Sequence, residues 1–300
     1  MPKPSISQPA PWIPISPARA QGADARVAKT RKRTVEDAGA VRTPISVRAA
    51  YHKRLLQLIK EMHNSVEYWL GARFKQVAPQ RELLSPTMAL DATAAEELQT
   101  ALNKLNKRWQ SRFDRLAEDL AKFFGTKMAE RSDAELKRIL RKGGMSIKFQ
   151  MTPAMKEAVS AIVHENVSLI KSIPEQYLKQ VEGATMRSVL AGRGLQSLYE
   201  DIRKNYNVSK RRAELISRDQ ANKATAMLSR VRYQEAGIRQ AVWVHSHAGR
   251  EPRPSHVKAG RDKVVFSVDE GWYDPHEQKY ILPGQLINCR CIMRPLLPSH

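Results

Sequence analysis

The stretch "SKRRAELISRDQANKATAMLSRVRYQEAGIRQAVWVHSH", Ser209–His247, decides the fold because its period changes partway along. From Ser209 to Ala236 it reads as one long helix, and Gly237 supplies the stop that helices favour just past their last turn. Immediately after it, "IRQAVWVHS" alternates and is rich in β-branched and aromatic residues, which predicts a strand. Further on, "DKVVFSV" predicts another, while Pro252, Pro254, Pro275, Pro283, Pro295 and Pro298 punctuate the remainder. The expected class is therefore α+β: a mainly α-helical N-terminal and central region, then a small β-containing C-terminal module.

Upstream of Ser209 the helical period persists. From Ser46 to Gln76, Tyr51, Leu55, Leu58, Ile59, Met62, Val66, Trp69, Leu70 and Phe74 recur every three or four positions, predicting an amphipathic helix. A second is expected from about Asp91 to Arg131, with Leu98, Leu102, Leu105, Trp109, Phe113, Leu116, Leu120 and Phe124 on one face. Thr93 and Glu96 offer a capping box near its start. Ser132 and Glu135 form another, predicting a separate short helix that Gly143-Gly144 ends. The segment "MSIKFQM" reads as a short strand. Thr152-Pro153 and Ser172 with Pro174 are helix starts, giving helices over about 153–171 and 174–191 with "AGRG" as a turn. A short helix around 195–204 would lead into the one that opens at Ser209. The expected organisation is a tail over 1–45, a helical domain over 46–237 and a small α+β module over 238–300.

In the tail, Pro2, Pro4, Pro9, Pro11, Pro14 and Pro17 prevent a helix and favour extended backbone. A basic cluster follows, with Arg26, Lys29, Arg31, Lys32 and Arg33. Trp12, with Ile13 and Ile15, is the candidate anchor if a partner holds the tail; otherwise the segment reads as a loose solubilising one. The whole chain of 300 residues carries 51 Lys+Arg against 30 Asp+Glu, a net charge of +21. Such an excess favours polyanions, because each neutralised phosphate releases condensed counterions. The alternative is a basic structural protein matched to an acidic neighbour. No RNP-type aromatic motif, zinc-finger spacing or basic-zipper heptad appears, so sequence-specific reading is not supported, and Arg26, Lys29, Arg31, Lys32, Arg33 and Trp12 are the candidate nucleic-acid or partner contacts. A mean hydropathy of −0.51 and the lack of an apolar run near the roughly 20 residues that spanning needs exclude a membrane span. The opening "MPKPSISQPAPWIPISPARA" has no apolar core and is not read as a secretory signal, which with the two thiols points to a reducing cytoplasm.

Both cysteines sit in "INCRCIMRP", Ile287–Pro295, separated by one arginine. A disulfide between Cys289 and Cys291 would close a tight, strained ring, which leaves a shared metal, a reactive pair or two small buried residues. The module also holds His245, His247, His256 and His276; imidazole and thiolate are zinc's preferred ligands, and a structural site takes four. A small module with little core gains folding stability from such a metal. Cys-x-Cys is not the usual knuckle spacing, and buried thiols flanking a turn are the plainer reading. No acidic cluster accompanies the histidines to hold magnesium, and the chain is not read as an enzyme.

The quoted helix and strand, then "RPSH", then "NCRC", together resemble the phage Mu F-like minor head protein family, also called the SPP1 gp7-type head morphogenesis family. The residues that carry the resemblance are Ala213, Ile216 and Arg218; Trp243; Arg253 and His256; and Asn288, Cys289, Arg290 and Cys291, over roughly residues 205–295. It implies a low-copy virion protein of the tailed-phage head, near the portal, with the portal and major capsid proteins as partners. It further implies a part in head assembly and in DNA packaging or ejection, with nonspecific DNA contact. In a related branch a Cys-x-x-Cys precedes His-x-x-Cys-Arg-Cys, which suggests zinc. Here "HSHAGREPRPSH" has histidines and no thiols, so the ligands the resemblance offers are His256, Cys289 and Cys291 with His247 as the fourth, and zinc is the only candidate cofactor. Without metal, Trp243, Arg253, His256, Asn288, Cys289, Arg290 and Cys291 form a structural motif, in which Arg253 and Arg290 would pair with acids such as Asp262, Asp269 or Glu270. The competing functional expectation is a standalone metal-dependent nucleic-acid-binding or DNA-processing protein. A third is an internal scaffold that never touches DNA.

Overall fold

Four long helices carry most of the chain, and a small antiparallel module closes it. The computed structural model describes residues 39–77, 89–191, 193–248 and 251–297, with side chains from 95 onward in the second helix. Trp12, Arg26, Lys29, Arg31, Lys32 and Arg33 lie outside the described residues, as does the side chain of Thr93. The helices are α1 (Ile45–Val77), α2 (Ala89–Lys142), α3 (Pro153–Leu190) and α4 (Leu195–Glu235). The module comprises β1 (Gln240–Val244), α5 (Pro254–Arg261), β2 (Val265–Ser267), β3 (Trp272–Asp274), β4 (Lys279–Ile281) and β5 (Ile292–Pro295). No helix among the described residues is long and apolar enough to cross a membrane.

The expected stripes line the bundle core. Tyr51, Leu55, Ile59, Met62, Val66 and Leu70 of α1 meet Trp109, Phe113, Phe124 and Met128 of α2, all buried. Burying each such side chain is worth about 1.5–3 kcal/mol, so the stripe fixes which face turns inward. Trp69 departs from the stripe: it is exposed and packs edge-on against Tyr68. α1 and α4 run antiparallel. Thr43, just before α1, donates to Asn222 Oδ1 at 3.0 Å, the His63 and Tyr206 rings stack at 4.1 Å, and Gly71 lies against Tyr199.

The helices are longer and fewer than local signals predict. α2 runs through Ser132 without a break, because Leu136, Ile139 and Leu140 continue its buried face into a second core beneath the module. α3 runs through Pro174. The proline removes the donor that would meet the Ile170 carbonyl, and beside it the Lys171 carbonyl accepts from Gln110 Nε2 of α2 at 3.2 Å. Ser172, expected as a cap, instead donates to the Leu169 carbonyl at 2.7 Å within the continuous helix. α4 likewise absorbs the short 195–204 helix; no Pro or Gly lies between Leu195 and Glu235, and Ser209 is buried against the bundle. Residues 145–151 form no strand. Met145, Ile147 and Phe149 pack on the second core, and Gln150 offers its carbonyl to Arg232 rather than to a strand partner.

Where the local signals agree with packing, they hold. Thr152 caps α3 by accepting from Met155 N at 3.2 Å. Gly237 (φ 71) ends α4, with Ile238 N bonded back to the Tyr233 carbonyl at 2.8 Å. The sheet has the order β2-β1-β5, all antiparallel, with Trp243 opposite Met293, and β3 and β4 form a separate hairpin. The α+β class is thus as expected.

A buried arginine fastens the bundle to the 145–151 segment. Arg232 of α4 donates Nε to Asp133 Oδ1 at 2.8 Å and Nη2 to Asp133 Oδ2 at 2.7 Å. Its Nη1 reaches Glu235 Oε2 at 2.7 Å and the Gln150 carbonyl at 2.8 Å. This fork ties α2, α4 and the 145–151 segment into one joint.

Candidate functional site

The "NCRC" loop lies on α4, and α4 side chains shape it. Asn288 has φ 62, a left-handed conformation that asparagine tolerates better than most residues. Its N–H donates to Asp219 Oδ1 at 2.9 Å, and its side-chain oxygen accepts from Arg218 Nη2 at 3.0 Å. One turn on, Asn222 Nδ2 donates to the Cys289 carbonyl at 3.0 Å. These bonds turn both cysteines inward, and both are buried and free.

The "RPSH" element starts α5. Pro254 occupies its first turn, where a missing N–H costs nothing, and His256 is carried inward on that turn. His256 Nδ1 lies 3.5 Å from Cys289 Sγ and 3.9 Å from Cys291 Sγ. Its other nitrogen, Nε2, lies 3.2 Å from Asp274 Oδ2, an ion-pair distance off the line of a good hydrogen bond. Asp274 is wholly buried and also accepts from Ser255 Oγ at 3.2 Å and His276 N at 2.9 Å. Trp243 covers the group, its ring 4.9 Å from those of His256 and Trp272. The result is a buried thiol–imidazole–carboxylate line. Hydrogen bonding from Cys291, and then from His256, pulls the Cys289 thiol below its ordinary value, and the same contact pushes Cys291 up.

The donors of His256, Cys289 and Cys291 lie within 4.8 Å of one another. A tetrahedral zinc with Zn–N of about 2.0 Å and Zn–S of about 2.3 Å sets nitrogen–sulfur edges of about 3.5 Å. Both edges here are close to that, so the donor set fits zinc at three corners. Among the described residues no fourth His, Cys, Asp or Glu joins them. His247 does not: it is exposed with φ 52, and its ring packs on His245 at 4.6 Å. Asp274 stands behind His256, where ligating histidines commonly find a carboxylate. Burial, and then the neighbouring His247, push His245 below the ordinary imidazole value.

The expected arginine–acid pairs form differently. Arg253 pairs with Glu277 at 3.5 Å and donates to the Ile287 carbonyl at 3.3 Å. Arg290 donates to the Ala248 carbonyl. Asp269 is taken by Gln234 and Arg239, and Asp262 by its neighbour Arg261. Sequence reasoning missed Asp274, Asp219 and Asn222. The last two had a signal: "SRDQAN", Ser217–Asn222, interrupts the apolar face of α4 with polar groups that are buried.

Residues 179–294 match the family described as Phage Mu protein F like protein. The Mu F-like segment begins within α3 and ends within β5, so it holds α4 and nearly all of the module, including every residue of the clamp. It extends the resemblance read from the sequence backward from Asn205 into α3, and it is consistent with a phage head morphogenesis protein. A Haemophilus influenzae protein described as uncharacterized is 29% identical over 255 residues, covering 83% of this chain and 53% of its own length. The chain therefore spans about half the length of that relative. No solved structure matches.

Proposed function

We propose that this chain is a minor head protein of a tailed phage or prophage, bound at the portal and acting in head assembly and in DNA packaging or ejection. The observation that carries this reading is the Mu F-like match over residues 179–294, whose boundaries contain the whole buried clamp. The role is structural. Both thiols are buried, which is not the partly exposed setting of a nucleophilic cysteine. The portal and major capsid proteins are the proposed partners, and the basic charge supports nonspecific contact with packaged double-stranded DNA. His256 Nδ1, Cys289 and Cys291 would hold a structural zinc, with Asp274 keeping the histidine proton on Nε2. Bound there, zinc would cross-link α5 to the "NCRC" loop.

The test is a tagged pull-down from cells producing the virus, washed at low and then high salt, with mass spectrometry of what stays. Portal protein retained at high salt is the expected result. Nucleic acid alone, released by salt with no structural protein, would refute the head reading and direct attention to DNA processing.

A further inference from the structure

Three arginines converge where the start of α1, the middle of α4 and the "NCRC" loop meet, and among the described residues Glu214 is the one acid that reaches any of them. The antiparallel register of α1 and α4 sets the first two. Thr43 meets Asn222 and His63 meets Tyr206, so Arg48, just over a turn beyond Thr43, lies level with Arg218, one turn before Asn222. The bond from Arg218 Nη2 to Asn288 Oδ1 brings in the loop, with Arg290 two residues on. Glu214 is mostly exposed and reaches Arg218 at 3.6 Å.

Like charges held together in a half-buried place raise the free energy of the protein alone, and an oxyanion between them relieves it. The donors are also left open. Arg218 spends Nη2 on Asn288 and Nη1 on Glu214 and its Nε is buried, so it contributes charge, while the other two arginines offer the free donors. The Arg48 side chain makes no hydrogen bond or ion pair among the described residues, and Arg290 uses Nη1 on a backbone carbonyl. Planar guanidinium forks suit the tetrahedral oxygens of phosphate better than any other side chain. We propose that Arg48, Arg218 and Arg290 form a binding site for a phosphate group, supplied by the backbone of double-stranded DNA. This rests on the DNA contact in the proposed function, yet it places that contact on the folded body of the protein, apart from the basic cluster at Arg26–Arg33.

The test uses the full chain. Binding of a fluorescent duplex of about 30 base pairs and arbitrary sequence is measured from 50 to 200 mM salt for wild type, Arg48→Ala, Arg290→Ala and Lys104→Ala. Lys104 is an exposed cation on α2, toward the far end of α1. Each lost phosphate contact lowers the slope of log affinity against log salt by about 1, so both arginine variants should show that drop and weaken binding several-fold, with Lys104→Ala near wild type. In a second arm, melting temperature is compared in phosphate and in chloride at equal ionic strength. Phosphate's general stabilisation is common to all variants, so the extra increment of wild type over Arg48→Ala reports the site. Arg48 has no partner to lose, so that variant folds even where Arg290→Ala does not. A phosphate increment lost in Arg48→Ala with duplex binding unchanged supports the site and removes DNA as its source. Wild type that binds no duplex refutes the DNA contact, and the phosphate arm still decides the site. Slopes and increments equal across all four proteins overturn the proposal.

Discussion

Replacing Arg232 tests whether the joint of α2, α4 and the 145–151 segment is held by one side chain. Its side chain is only 3% exposed, and its four donated bonds run to Asp133, Glu235 and the Gln150 carbonyl. The guanidinium also lies 4.7 Å from the Phe149 ring. Arg232→Met keeps the stem's packing and removes the charge, leaving two carboxylates facing each other. Breaking a buried pair from one side costs about 3–5 kcal/mol. Asp133 and Glu235 are 19% and 18% exposed, so water relieves part of this, and the lower end, about 3 kcal/mol, is expected. Arg232→Lys keeps one charge and loses the fork, so about 1–2 kcal/mol is expected. Chemical denaturation gives these values directly, and by heat about 3 kcal/mol corresponds to a fall of roughly 5 °C for a chain of this size. A double variant, Asp133→Leu with Arg232→Met, should recover part of the loss because no carboxylate is then stranded opposite. A change below about 1 kcal/mol for Arg232→Met would refute the joint.

Three further outcomes follow from the same coordinates. Asn288→Ala places a Cβ-branched-free but non-permissive residue at φ 62 and removes the acceptor of Arg218, so thermal unfolding should show a loss of about 1–2 kcal/mol, with Asn288→Gly losing less. If zinc occupies the clamp, Asp274→Asn weakens its retention by about 10- to 100-fold, read by chelator competition and elemental analysis. His63 is held below the ordinary imidazole value mainly by burial, with Glu67 opposing and Arg203 and Lys210 reinforcing, and its Nδ1 lies 3.0 Å from Tyr177 Oη. A depressed histidine makes the unfolded chain the better proton binder, so this contribution is present above about pH 6.5 and lost as pH falls below it. His63→Gln should flatten stability between about pH 6.5 and 5, and an unchanged slope there would count against this assignment.

Apolar periodicity marks the elements well and their joins poorly. Gly237 and Thr152 worked as signals because backbone geometry and packing agree there. Ser132, Pro174 and Ser209 failed as breaks for the opposite reason: the apolar stripe continues across each, and a long helix buries more than two capped short ones. In the site, His256, Cys289 and Cys291 were legible because few side chains bind soft metals. His247 came from the resemblance alone, and the left-handed backbone at His247, three residues past the end of β1, carries its ring onto His245. Asp274 gave no signal, since its contact with His256 exists only once the β3–β4 hairpin has folded against α5.

The close pairing of the cysteines has its cause in α4 rather than in the thiols. Asn222 uses both ends of its amide, accepting from Thr43 at the start of α1 and donating to the Cys289 carbonyl, so one side chain joins the first helix to the end of the module. Arg218 and Asp219, one turn earlier, hold Asn288 from its side chain and its backbone. Lys223 pairs with Asp219 and with Glu165 of α3, where Gln220 links on to Asn166 and the buried Tyr51 hydroxyl. The polar face of α4 is thus continuous from the bundle centre to the "NCRC" loop. Gripped from outside by this face, the loop can turn Cys289 and Cys291 inward to His256 while Arg290, between them, turns out toward Arg218 and Arg48. Alternation across three residues is what permits both at once. A second residue between the cysteines would put their side chains on opposite sides of that alternation, which is why the two thiols and the outward arginine occupy a single tripeptide.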